Sequence, residues 1–98
     1  MLTIKKLSAM PYAQAFVEII DDGSIYLFSY NTLVASIDAD GWCRCYGLYS
    51  QTTRKHISAF AKEYAKPLTY SNFKSAYQEG YIINRHTGEV IMYSEEKD

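Results

Sequence analysis

The chain has 98 residues, which is room for one domain and not for two. With 48% hydrophobic residues and a formal net charge of −1, it is too apolar for a disordered chain. It is also too close to neutral for a duplex-DNA mimic or a strong general nucleic-acid binder. No apolar run approaches the ~18–20 residues that cross a bilayer, and no apolar segment follows Lys5 and Lys6 to form a secretory leader. The expected compartment is therefore the cytoplasm, with no membrane partner.

The first half reads as strands. Residues 15–20 are apolar and rich in β-branched side chains, and Asp21-Asp22-Gly23 then makes a hairpin turn. Residues 24–30 alternate, with Tyr26, Phe28 and Tyr30 on one face and Ile25 and Leu27 on the other. Asn31-Thr32 permits a turn. Residues 33–37 and 42–46 form two further strands around Asp38-Ala39-Asp40-Gly41. Short connections make these strands antiparallel neighbours in a meander.

The period then changes. Ile57, Phe60, Ala61 and Tyr64 fall at helical spacing in residues 53–65, and Pro67 ends that helix. Thr69 or Ser71 can cap a shorter second helix that carries Phe73, Ala76 and Tyr77 and ends at Gly80. Residues 81–84 and 89–93 flank Arg85-His86-Thr87-Gly88 as a final hairpin. The predicted order is ββββ–α–α–ββ over residues 1–98, a single α+β domain. Its antiparallel β-meander carries two helices packed on one face and a C-terminal hairpin.

Charge is distributed in blocks. From Leu7 to Cys43 every charge is acidic (Glu18, Asp21, Asp22, Asp38, Asp40). From Arg44 to Arg85 the basic residues Arg44, Arg54, Lys55, Lys62, Lys66, Lys74 and Arg85 face only Glu63 and Glu79. Beyond them Glu89, Glu95, Glu96 and Asp98 turn the chain acidic again, with Lys97 between. The ten tyrosines suit an interface, since each offers a broad apolar face with a polar tip.

Four sets of residues could carry chemistry. In Tyr49-Ser50-Gln51-Thr52-Thr53-Arg54-Lys55-His56-Ile57, Ser50, Thr52 or Thr53 can cap the helix, and Arg54 and Lys55 then place positive charge on its already positive N-terminus. A phosphate or a partner carboxylate would offset that cost; side chains extended into solvent would tolerate it. Cys43, Cys45, His56 and His86 are the zinc-type ligands of the chain. Cys-x-Cys on a strand nevertheless sets its sulfurs too far apart for one tetrahedral ion or one disulfide. Reduced core thiols and no metal are expected. There is no phosphate-binding glycine loop, nucleophile elbow or His-Glu-x-x-His, and Ser50 with His56 is a pairing any short chain supplies, so no catalytic residue, enzyme activity or cofactor is assigned. Trp42, Arg44 and Tyr46 share a strand face opposite the two cysteines, a surface that could stack single-stranded bases or meet a protein.

Ser29-Tyr30-Asn31-Thr32-Leu33-Val34-Ala35, followed by Tyr49, Ser50, Thr52, Thr53, His56, Ile57 and Phe60, resembles a family of short, uncharacterised phage and mobile-element proteins over about residues 24–65. Those proteins carry Ser-Tyr-x-Thr-x-Val-Ala and Tyr-Ser-x-Thr-Thr-x-x-His-Ile patterns. The resemblance implies a phage or prophage accessory protein in the host cytoplasm. It would bind a host protein or protein–nucleic-acid complex stoichiometrically, as anti-CRISPR inhibitors of host defence do. The candidate binding residues are Arg44, Tyr46, Tyr49, Thr52, Thr53, Arg54, Lys55 and His56. Single-stranded nucleic-acid binding is the alternative, and the oligomeric state is open.

Overall fold

A computed structural model describes residues 2–93. The acidic tail at Glu95, Glu96, Lys97 and Asp98 lies outside the described residues. The elements run β1 (Thr3–Lys6), β2 (Ala15–Ile19), β3 (Ile25–Ser29), β4 (Thr32–Ile37), β5 (Trp42–Cys45), α1 (Gln51–Tyr64), α2 (Tyr70–Glu79), β6 (Tyr81–Asn84) and β7 (Val90–Met92). All seven strands form one antiparallel sheet in the order β1-β2-β3-β4-β5-β6-β7. The two helices are inserted between the neighbours β5 and β6. α1 packs on β3 and β4, and α2 on β5 and β6. The architecture is the expected α+β meander with helices on one face and a terminal hairpin.

The strand missing from the sequence reading is β1. Its four residues are all exposed, so no buried alternation marks it. It is held by backbone pairing with β2, from Thr3↔Ile19 to Lys6↔Phe16. Lys5 and Lys6 suit an edge, where charge discourages further pairing.

Elsewhere the pleat sorts side chains as the alternation predicts. Ala15, Val17, Ile25, Leu27, Ala35, Ile37, Cys43, Cys45 and Ile83 face the helices and are buried. They join Ile57, Phe60, Ala61 and Phe73 in a single core. A bulge opposite Leu27 and Phe28 adds Val34 to that core, because the partners there are Ala35 and Leu33.

The β3–β4 turn falls one residue earlier than expected. Tyr30 (φ 52°) and Asn31 (φ 68°) are both left-handed, as a two-residue hairpin of this kind requires. Asn accepts that conformation readily, but a tyrosine there costs on the order of 1–3 kcal/mol. Tyr30 therefore leaves the Tyr26 and Phe28 face, and its ring swings over α1.

Helix ends follow the chemistry of their caps. Ser50 Oγ accepts from the Thr53 amide at 3.1 Å, so α1 begins at Gln51, two residues before the expected start. Thr69 opens α2, and Asn72 Oδ1 accepts from its amide at 2.9 Å. Gly80 (φ 79°) closes α2 and donates its amide to Ala76 O. In the β4–β5 turn Gly41 adopts φ 95°, a left-handed conformation that favours glycine, and the exposed His86 ring lies over it.

Phe60 is fully buried and meets the Tyr64 and Phe73 rings at centroid distances of 5.5 and 6.1 Å. Phe60→Ala should cost about 3–5 kcal/mol in a denaturant melt. A loss below about 1 kcal/mol would mean that Phe60 is not at the centre of the core.

Candidate functional site

The eight candidate residues fall into three groups. Thr53 and His56 point inward from α1 and are 4% and 1% exposed. Tyr49, Thr52, Arg54 and Lys55 face outward around the start of the same helix. Arg44 and Tyr46 lie on the far face of the sheet, away from the helices.

The inward group forms a buried polar junction between α1 and the end of β3. Ser29 Oγ lies 2.8 Å from His56 Nδ1 and 3.3 Å from Thr53 Oγ1. Ser50, the helix cap, donates its hydroxyl to Thr53 Oγ1 at 3.2 Å. The Tyr30 ring tilts across the imidazole at 5.9 Å between centroids. Ser29, Thr53 and His56 thus satisfy one another where unpaired groups would be costly, with the exposed cap Ser50 joined to them, and they fix the approach of α1 to the sheet. The strained turn at Tyr30 holds its ring as a cover over His56. Local spacing did not connect Ser29 with His56, since their pairing depends on how the helix docks.

A serine beside a histidine can act as nucleophile and base, but Ser29 is 2% exposed and His56 1%. An acyl group has no path to Ser29 Oγ in this arrangement. Burial also pushes the His56 pKa below its ordinary value.

The outward group corrects the placement of charge on α1. With the cap at Ser50, Arg54 and Lys55 are the fourth and fifth helical residues, at the end of the first turn and just beyond it. The helix dipole decays over that distance, so their electrostatic cost is smaller than a helix starting at Thr53 would impose. They continue into a basic helical layer in which Lys62, Lys66 and Lys74 are also exposed. Glu63, one of the two acids there, accepts from the Ser8 amide at 2.8 Å and the Ser8 hydroxyl at 2.7 Å, which ties α1 to the β1–β2 connection.

The third group sits in a shallow hollow of about 160 Å³ on the open sheet face, lined by Tyr26, Ser36, Asp38, Trp42, Arg44 and Tyr46. The Arg44 guanidinium lies 4.5 Å from the Tyr93 ring centroid and 5.5 Å from that of Tyr46. Ser36 and Tyr46 share a hydroxyl hydrogen bond of 3.0 Å. Asp38 Oδ1 accepts from the Asp40 and Trp42 amides at 2.9 Å each, which sets one wall. Tyr93 and Asp38 were not among the expected residues; one comes from the terminal hairpin and the other from a turn.

Cys43 and Cys45 are free and buried on the helix side. Burial pushes their pKa values up to about 12 and about 11. Among the described residues no three His, Cys, Asp or Glu side chains converge as a ligand set, and no helix is long and apolar enough to cross a membrane.

A model for a family of unknown function, DUF8033, matches residues 3–71. The chain belongs to the DUF8033 family. The match runs from β1 into the start of α2, so the DUF8033 region contains every member of the buried junction and the outward group at α1. It stops short of β6, β7 and Tyr93. Neither the curated proteins nor the solved structures contain a significant match.

Two outcomes are expected. Native protein at pH 8 should react slowly with a thiol reagent and, once unfolded, show two thiols without prior reduction, because the buried thiols are protonated. Stoichiometric zinc in protein purified without added metal would contradict this. The depressed pKa of His56 means that the unfolded state binds a proton first as pH falls. Stability should therefore be intact above about pH 6.5, the ordinary histidine value, and fall as pH drops from there toward the folded-state pKa. Melts at intervals from pH 7.5 to 5 should show this slope in the wild type and not in His56→Gln. An equal slope in both would exclude His56 as its source.

Proposed function

We propose that this DUF8033 protein is a non-enzymatic phage or prophage accessory protein. It acts by stoichiometric binding to an acidic surface of a host protein or protein–nucleic-acid complex. The observation that carries this reading is the segregation of charge: Arg54, Lys55, Lys62, Lys66 and Lys74 are all exposed on the helical layer. Of the two acids there, Glu63 is already bound to Ser8. Such a surface steers an anionic partner and disfavours a basic one.

The enclosed Ser29–His56 pair favours binding over catalysis. The phage or prophage origin rests on the Ser-Tyr-x-Thr-x-Val-Ala and Tyr-Ser-x-Thr-Thr-x-x-His-Ile patterns. Inhibition of a host defence nuclease, in the manner of anti-CRISPR proteins, is the activity that this size and chemistry suit by analogy.

A second reading draws on the hollow. Arg44 between two tyrosine rings, beside Trp42, is a surface on which a single-stranded base could stack. The open face does not carry the accompanying basic track, since Asp38 and Glu18 lie on it with Arg44. Filter binding of a single-stranded oligonucleotide across a salt series separates the readings. A protein partner predicts no retention, whereas retention that weakens steeply with salt supports the second reading.

The variant Arg54→Glu/Lys55→Glu tests the first reading directly. Each substitution matches the helix dipole better, and the free protein should gain up to about 1 kcal/mol in a thermal melt. In a pull-down from host lysate, the partner retained in near-stoichiometric amount by the wild type should be lost, because attraction becomes repulsion. Equal retention of that partner by the variant would overturn the assignment of this surface.

A further inference from the structure

The antiparallel meander sends its connections to two ends of the sheet, and the ends differ in chemistry. At one end lie residues 20–24, 38–41 and 85–89, which carry Asp21, Asp22, Asp38, Asp40 and Glu89. At the other lie residues 7–14, 30–31 and 46–50, the last leading into α1, and none of these is charged. They hold instead Tyr12, Tyr30 and Tyr49, which are 86%, 57% and 64% exposed.

Hydrogen bonds gather these tyrosines around the start of α1. Tyr30 donates its amide to Gln14 O at 2.9 Å, just past Tyr12 in the chain. Ser29, beside Tyr30, lies 3.3 Å from the Thr53 hydroxyl, and Ser50, beside Tyr49, donates to the same hydroxyl at 3.2 Å. The Tyr49 ring rests on Gly47, whose missing side chain leaves room for it. Tyr30 adopts a left-handed backbone (φ 52°) that asparagine or glycine would take more readily. Its ring meets His56, yet more than half of the residue stays in water, so packing within the chain recovers only part of the strain. Strain of this kind collects at sites that engage a ligand or partner.

Arg54 and Lys55, between Thr53 and His56 in the chain, are exposed at the rim of this cluster. An aromatic centre without charge, flanked by a few cations, has the make-up of a protein contact, where Tyr and Arg are enriched and central charge is depleted. A nucleic-acid surface would be far more basic. We propose that Tyr12, Tyr30 and Tyr49 form the centre of the partner contact. They receive an uncharged, apolar side chain of an acidic protein segment whose carboxylates meet Arg54 and Lys55. This rests on the reading that α1 faces an acidic partner, and adds where that contact is anchored.

Photo-crosslinking in host lysate is the test, with benzoylphenylalanine in place of Tyr12 or Tyr49 and circular dichroism to confirm each fold. Both positions should crosslink to one host protein, through a peptide that contains Asp or Glu. That protein, once purified, should bind Tyr49→Ala and Tyr30→Asn about tenfold or more weakly than the wild type, the level of a central contact. Asparagine suits the left-handed turn, so Tyr30→Asn removes the ring and keeps the backbone. Crosslinks only to nucleic acid, or only to a second copy of the chain, overturn the proposal. So does a partner that the tyrosine variants bind as tightly as the wild type does. No crosslink from either tyrosine position also overturns it; if the same group at Lys62 or Lys74 crosslinks instead, the helical surface stands without the tyrosine centre. Retention by Arg54→Glu/Lys55→Glu of a partner that the tyrosine variants lose would overturn the acidic-partner reading, and with it the class of partner named here.

Discussion

A strand presents successive side chains to opposite faces, and α1 and α2 cover only one. That geometric constraint underlies the rest of the structure. The meander places Val17, Leu27, Ile37 and Cys43 on the covered side, where they meet Ile57, Phe60 and Phe73 in one core. The same alternation leaves Phe16, Glu18, Tyr26, Phe28, Trp42 and Arg44 on the side away from α1 and α2, each only partly buried. The chemistry of the open face is thus a necessary by-product of the way the core is built. Its particular composition is not, since an ordinary solvated sheet face would be predominantly polar.

The docking of α1 depends on a second feature, the junction of buried Ser29, Thr53 and His56 with the exposed cap Ser50. Apolar packing alone would let the helix slide or rotate at modest cost, whereas hydrogen bonds inside the core admit one arrangement. The strain of a left-handed Tyr30 is consistent with this role, because its ring screens the imidazole from water. The junction lies wholly within the part of the chain that matches the DUF8033 family. It accounts for the patterned residues as a fold-determining device. The exposed charges of α1, held in place by it, are then available for recognition.

Much of this organisation was legible in the sequence. Alternation at Ile25 and Leu27 against Tyr26 and Phe28 identified the two faces, and Ile57, Phe60 and Tyr64 at helical spacing identified the packed side of α1. Three features were not legible, for physical reasons. β1 is exposed along its length and is held by backbone bonds, which side-chain patterns do not record. Ser50 outcompeted Thr52 and Thr53 as cap, which moved the helix start and weakened the argument from the dipole at Arg54 and Lys55. The Ser29–His56 contact and the contact of Arg44 with Tyr93 are tertiary, joining residues far apart in the chain. Composition identified a tyrosine-rich protein, and the fold spreads its exposed tyrosines, Tyr12, Tyr30, Tyr46, Tyr49 and Tyr77, over the connections and α2.

The central claim is that α1 and α2 close one sheet face over a core that the strand alternation selects. Solvent paramagnetic relaxation in NMR, with a soluble gadolinium probe, reads both faces at once. The side-chain protons of Phe16, Tyr26 and Phe28 should relax the more strongly, while those of Val17, Ile25 and Leu27 remain protected. Equal relaxation of the two groups would contradict the account.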